Sequence, residues 1–171
     1  MDLRPLLRSG PPTALVLTGD WRAVVDLQGR LHQAHPDTTF VHLRGGKMRT
    51  AAGFFDELAA ALQFPSWFGE NWDALTDIAR FRGWFAGIVL GVYDAHLLLA
   101  EASDGDRRTA AAVLEQCNRY GKDEPPADVA ADDEDGFHLL LQVSAGDADG
   151  VVARWQAAGL SIAVLPADAA R

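Results

Sequence analysis

The chain alternates between short, almost continuously apolar runs and longer segments in which apolar residues recur every three or four positions. Short continuous runs are typical of strands that are covered on both faces of a sheet, and the longer period is typical of amphipathic helices. Five strands are predicted: Ala14–Thr18, Thr39–Leu43, Gly87–Tyr93, Phe137–Ser144 and Leu160–Leu165. Five helices are predicted between them: Trp21–Ala34, Thr50–Gln63, Asn71–Arg82, Asp104–Tyr120 and Asp147–Ala158.

The predicted order of elements is β-α-β-α-α-β-α-β-α-β. Alternation of this kind favours an α/β fold with a mainly parallel central sheet. A length of 171 residues fits one domain with its own core, and no repeat of 20–50 residues is present. We therefore expect a single domain over residues 1–171, in which the first and last α/β pairs extend the sheet.

The charge of the chain is concentrated in one segment. The net charge is -9, but residues 122–135 hold seven acids and one Lys, which leaves 17 acidic against 14 basic residues elsewhere. A Pro-containing, Asp-rich segment of this kind is typical of a solvated loop. Because phosphate binding needs a basic surface, the composition argues against a nucleic acid as direct ligand.

The single cysteine, Cys117, excludes a disulfide framework within the chain and suggests a reducing compartment. The apolar run at residues 14–17 is too short for a signal sequence. No stretch approaches the roughly 20 apolar residues that a membrane span needs. We expect a soluble, cytoplasmic protein with no membrane partner.

Three features have a chemical and a structural interpretation. His32 and His35, with Asp37 nearby, have a spacing that could hold a metal, but no second pair of ligands follows, so surface or core histidines are favoured. The sequence RGGK at 44–47 lacks the remaining positions of a phosphate-binding loop and favours a tight strand-to-helix turn. Cys117 lies on the apolar side of a predicted helix, as inert thiols do. No cofactor is predicted.

The stretch FPSWFGENWDALTDIARF at 64–81 is the most unusual part of the chain. Pro65 and Gly69 indicate a turn, and Asn71 is a good N-cap for a helix that begins at Trp72. The apolar stripe of this helix is formed by Trp72, Leu75 and Ile78.

Asp73 and Asp77 lie off this stripe along one ridge of the helix. The helix dipole favours Asp73 in the first turn but no longer helps Asp77, which is one turn further and is repelled by Asp73. With the aromatic residues Trp67 and Phe68 nearby, the ridge suits a cationic, partly apolar cleft. An alternative is a hydrolase that uses Glu70, Asp73 and Asp77 around Mg²⁺, although a helix ridge is convex.

Residues 64–79 resemble the signature of the barstar family, the intracellular inhibitors of secreted microbial ribonucleases. The resemblance covers about residues 38–144, so that 1–37 and 145–171 are additions. It implies a barstar-like α/β fold with three core strands, here extended to about five, and no enzymatic activity. The matching positions are Pro65, Trp67, Phe68, Gly69, Glu70, Asn71, Asp73, Ala74, Leu75 and Asp77.

The resemblance also implies a mode of binding, in which the helix and the loop before it block the ribonuclease active site and carboxylates take the place of RNA phosphates. By motif position, Asp77 is implied as the central phosphate mimic and Asp73 as the second acid. Asn71 is implied in polar contacts, and Glu70 in holding the loop or in contact. Trp67 is implied to pack on a catalytic histidine. The full set of implied partner-binding residues is Trp67, Phe68, Gly69, Glu70, Asn71, Asp73, Thr76, Asp77 and Trp84.

Several positions depart from the family pattern. Thr76 replaces an aromatic residue, Arg80 is placed to pair with Asp77, and the predicted helix is longer. Arg119 stands where a glutamate is expected, with Glu115 one turn away. Two hypotheses follow: an inhibitor of a basic ribonuclease or ribonuclease-type toxin, or a barstar-fold binding module with another basic partner or self-association. The sequence does not indicate the oligomeric state.

Overall fold

Five parallel strands form the central sheet of the computed structural model, which describes residues 10–80, 87–119 and 136–166 together with Leu6 and Phe85. The strands are β1 Ala14–Thr18, β2 Thr39–Arg44, β3 Ile88–Tyr93, β4 His138–Val143 and β5 Ile162–Val164. Their order across the sheet is β2-β3-β4-β1-β5, and every neighbouring pair is parallel. The predicted α/β fold class is confirmed.

The first and last strands lie in the same sheet as the other three. β1 pairs with β4 in the register Ala14 to Leu139 through Thr18 to Val143, and β5 pairs with the outer edge of β1. The strands β2, β3 and β4 are neighbours in the sheet in the order in which they follow one another in the chain, as sequential strands usually are.

In the part of the chain that the structure describes, five α-helices cover the sheet unequally. They are α1 Trp21–Ala34, α2 Ala51–Leu62, α3 Trp72–Ala79, α4 Asp104–Arg119 and α5 Ala148–Ala157. α1 packs through Val24, Leu27 and Leu31 on one face, where Leu15 and Leu140 also lie. The other four helices contribute to the larger core on the opposite face. α3 packs on this larger core with one side, through Leu75 and Ile78, and exposes its other side to solvent.

The end of α3 differs from the prediction. The helix ends at Ala79 and not at Arg82, because the Arg80 amide donates to the Asp77 carbonyl oxygen at 3.2 Å, a short-range bond that closes the last turn. Arg82 lies outside the described residues, as do Tyr120 and the acidic segment 122–135.

The RGGK segment forms the predicted tight turn between strand and helix. Gly45 begins a 3-10 turn, and a Cβ on this residue would lie 2.5 Å from the carbonyl oxygens of Tyr93 and Asp94. Arg44 turns back to α2, where its Nε and Nη2 donate to the Glu57 carboxylate at 2.8 and 2.7 Å. The turn therefore joins β2 to α2 through an ion pair.

The Arg44–Glu57 pair makes the stability of the protein depend on pH. Hydrogen bonds from Arg44 lower the pKa of Glu57 in the folded protein. The ion pair therefore stabilises the fold fully above the ordinary glutamate pKa of about 4.3. This stabilisation is lost as the pH falls through the lowered pKa of the folded state. We expect wild type to be more stable than Glu57→Gln at pH 7 and the difference to shrink below about pH 4. Urea unfolding of both proteins at several pH values measures this, and a difference that stays constant with pH would contradict it.

Cys117 is buried in the larger core, as its place on the apolar side of α4 predicted. Burial raises the pKa of its thiol to about 12, so the thiolate is not available near neutral pH. Within the described residues, no helix combines the length and the apolar character needed to cross a bilayer.

Candidate functional site

The loop between α2 and α3 is held by one aromatic side chain and displays the next one. Phe68 is 9% exposed and meets Phe64 and Phe55 edge-on, with ring centroids 4.9 and 6.2 Å apart. Its amide also donates to the Pro65 carbonyl oxygen at 2.9 Å. The neighbouring Trp67 is 67% exposed. The loop therefore presents a large apolar ring to solvent from a fixed position.

The turn into α3 is organised by the Asn71 side chain. Its Oδ1 accepts from the Ala74 amide at 2.8 Å, which confirms the predicted N-cap, and its Nδ2 donates to the Gly69 carbonyl oxygen at 2.9 Å. Gly69 leaves room for this contact, since a Cβ there would lie a tight 3.1 Å from Asn71 Nδ2 and the amide would have to move. The left-handed conformation in this turn belongs to Glu70, at φ 50°.

The inner side of α3 is anchored by Trp72, whose ring packs 5.5 Å from Phe54 and 4.7 Å from Phe55 between centroids. Its indole N–H donates to Asp106 Oδ1 at 3.0 Å and so links α3 to the first turn of α4. Hydrogen bonds from Ser103 first, and from Trp72 second, lower the pKa of Asp106. This contact is not predictable from the sequence pattern. A tryptophan on an apolar stripe does require an acceptor for its N–H, but Asp106 lies 34 residues away.

Trp72→Phe tests whether this link holds α3 in place. The substitution keeps a ring in the aromatic cluster but removes the donor to Asp106, so we expect a loss of about 1 kcal/mol in stability and an upward shift of the Asp106 pKa. Urea unfolding and a carboxyl NMR titration measure the two effects. Unchanged values for both would show that the hydrogen bond does not contribute.

The outer side of α3 carries the two acids of the predicted ridge. Asp73 and Asp77 are both exposed. Asp77 Oδ1 lies 3.3 Å from Arg80 Nη1, with side-chain exposures of 67% and 61%. An exposed pair of this kind contributes little and exchanges readily with solvent. We call the exposed side chains Trp67, Glu70, Asp73 and Asp77 the acidic ridge.

The other predicted site residues have different environments. Thr76 is half-buried, and its hydroxyl donates to the Trp72 carbonyl oxygen at 2.8 Å. Phe68 lies in the core, so it supports the loop and does not form part of the exposed surface. Trp84 lies outside the described residues.

The alternative of a Mg²⁺ site has no geometric support. Over the described parts of the chain, no group of three or more His, Cys, Asp or Glu side chains is arranged to hold a metal ion. Glu70, Asp73 and Asp77 therefore do not converge on a common point.

Glu115 is bound to Ser161, in the added C-terminal segment. Its Oε1 accepts from the Ser161 amide at 2.6 Å and from the Ser161 hydroxyl at 2.7 Å, which attaches α4 to the start of β5. This engagement with the added C-terminal segment leaves Glu115 poorly suited to replace the glutamate expected near Arg119. The side chain of Arg119 lies outside the described residues.

Comparison with known proteins connects this geometry to a family. The family model described as Barstar (barnase inhibitor) matches residues 38–142. No curated protein sequence matches the chain. A crystal structure of Cdc6p from Pyrobaculum aerophilum is similar with a TM-score of 0.53 at 16% identity, and the similarity covers 88% of this chain and 38% of that one. At this identity the likeness concerns the fold alone, and the chain spans little more than a third of that protein's length.

Proposed function

The chain belongs to the barstar family, and from this premise we propose that it is a protein inhibitor that binds a basic ribonuclease and blocks its active site. The blocking element is α3 with the loop before it. The protein has no catalytic role in this proposal and needs no cofactor. It acts in the cytoplasm, where it protects the cell from its own ribonuclease toxin or from that of a neighbour.

The observation that carries the proposal is the acidic ridge on a firmly anchored helix. The inner side of α3 is fixed by Leu75 and Ile78 in the core and by the Trp72–Asp106 hydrogen bond. The outer side carries exposed acids at Asp73 and Asp77. A helix that is held in place before binding needs no reordering of its backbone when a partner docks, so such a surface favours tight association.

Three residues of the acidic ridge, and the neighbouring Asn71, have distinct roles in the proposed complex. Asp77 takes the place of an RNA phosphate among the arginine, lysine and histidine side chains of the nuclease, and Asp73 supplies the second negative charge. Trp67 packs its exposed ring on the partner, where burial of an aromatic side chain is strongly favourable. Asn71 holds the turn and makes polar contacts with the partner.

The test is a ribonuclease assay with purified protein and basic microbial ribonucleases. We expect inhibition that saturates at one inhibitor per enzyme. The association rate should fall steeply as salt is raised, because the Debye length shortens to about 10 Å at 0.1 M and screens the attraction between the ridge and a basic cleft. An association rate that does not respond to salt would contradict the electrostatic part of the proposal.

A second candidate is a binding module that keeps the fold but recognises another basic protein or a second copy of the chain. It is favoured by the Asp77–Arg80 ion pair, which partly neutralises the ridge, and by the small Thr76 beside it. Capture of partners from the native host, with ribonuclease activity measured in parallel, separates the two candidates. A bound basic protein without nuclease activity, or self-association in sedimentation, would favour the second.

A further inference from the structure

Three arginines surround a small cavity away from the acidic ridge. The cavity has a volume of about 260 Å³ and lies between the first turns of α4 and the last turn of α5. It is lined by Asp104, Arg107, Arg108, Arg154, Ala157 and Ala158. Its lining therefore carries three positive charges against one negative charge, in a protein whose net charge is -9.

Arg154 is the side chain that most clearly lacks a counter-charge. It is half-buried, and its Nη2 donates to the carbonyl oxygens of Ala95 at 3.3 Å and His96 at 2.9 Å. Its Nε is buried without a hydrogen-bond partner. In the described part of the chain, no carboxylate lies within ion-pair distance of it. Burial first, and the neighbouring charge of Arg107 second, lower the pKa of Arg154.

Arg107 is held rigidly at the same cavity. Its Nη1 donates to the carbonyl oxygens of Leu99 at 2.8 Å and Ala102 at 2.7 Å, and its Nη2 pairs with Asp104. Arg108 is exposed and forms no ion pair with any described residue. The cavity thus combines two positioned guanidinium groups with a third one that is free to move.

A cation that is partly removed from water is stabilised by a carboxylate or another anion beside it, because desolvation of an unpaired charge is costly. Guanidinium groups fit the oxygen atoms of phosphate particularly well, since their N–H donors form a planar fork. The volume of about 260 Å³ is below the 300–1,000 Å³ of typical drug-sized ligand sites, which favours a compact ion with a few waters. We propose that this cavity binds a compact phosphate oxyanion, either free phosphate or the phosphate group of a small monoester.

The experiment is a titration of the full chain with inorganic phosphate at constant ionic strength, balanced with chloride and followed by ¹⁵N NMR of the arginine Nε–H groups. We expect a saturable shift of the Arg154 Nε signal, which is assigned by its loss in Arg154→Lys. Arg108→Gln should weaken phosphate binding by about tenfold, the effect of one charge-assisted hydrogen bond. Because Arg108 is exposed and forms no ion pair with any residue that the structure describes, this variant is expected to fold normally.

The matched control is Arg22→Gln, which makes the same charge change on α1, where Arg22 pairs with Asp20. It should leave phosphate binding unchanged. Glycerol phosphate in a parallel titration distinguishes the sources: equal affinity supports a monoester, and binding of inorganic phosphate alone supports the free ion. Absence of a saturable shift, or equal weakening by Arg108→Gln and Arg22→Gln, would overturn the proposal.

Discussion

Asp77→Ala is expected to weaken the complex with a basic ribonuclease by roughly ten- to a hundredfold, or about 1.5–3 kcal/mol, the range for a hydrogen bond to a charged group. The carboxylate is exposed in the free protein, where its Arg80 partner is equally exposed. In the complex it would be surrounded by cationic side chains of the nuclease, and its loss would leave them desolvated and unpaired. Calorimetry or surface plasmon resonance measures the affinity.

The stability of the free protein should change by no more than about 0.5 kcal/mol, since Asp77 is a surface residue and also loses its repulsion from Asp73. The matched control is Asp26→Ala, which removes an exposed acid from α1 on the other face of the sheet and should leave binding nearly unchanged. Arg80→Ala should not weaken binding, because it removes the counter-charge of Asp77. Equal losses for Asp77→Ala and Asp26→Ala would show that only net charge matters.

The second large effect is a difference between two adjacent aromatic residues, one of which should contribute to stability and the other to binding. Phe68→Ala is expected to reduce stability by about 3 kcal/mol, because it removes a buried ring that packs between Phe55 and Phe64. Trp67→Ala should change stability by less than about 0.5 kcal/mol, because its ring is 67% exposed. It should instead weaken the ribonuclease complex by at least about tenfold, since an aromatic ring is buried only on binding.

Urea unfolding and affinity measurements on both variants test this division. Phe68→Leu is a useful control, since a large apolar side chain at this position should cost less than about 1.5 kcal/mol and keep the loop folded. If Trp67→Ala destabilised the protein and left binding intact, the roles assigned to the two rings would be reversed.

The order of strands and helices could be predicted because their apolar periods are unambiguous. β1 has the bounds of its continuous apolar run, and α1 has the bounds of its three-to-four spacing of apolar residues. The end of α3 could not be predicted in this way, since Arg80 continues a polar pattern that a helix or a turn accommodates equally well. Its position depends on a local hydrogen bond to Asp77.

Within the candidate site, the cap and the ridge followed from local sequence. Asn71, Asp73 and Asp77 are separated by less than two helical turns, so their relation depends only on helix geometry. The orientation of Trp67 and Phe68 could not be predicted, because a loop has no period to show which ring is buried. The hydrogen bond between Trp72 and Asp106 could not be predicted either, nor could the proximity of Arg107 and Arg154. Both depend on the tertiary packing that brings α3, α4 and α5 together.

The central claim is that the acidic ridge occupies the active site of a ribonuclease, and a competition measurement tests it most directly. The protein is titrated against a basic ribonuclease in the presence of a mononucleotide that fills the active site. We predict mutually exclusive binding, in which the apparent Kd of the protein rises linearly with the nucleotide concentration. Asp77→Ala should show the same competition at lower affinity. Binding to the nucleotide-saturated enzyme with unchanged Kd would contradict the claim.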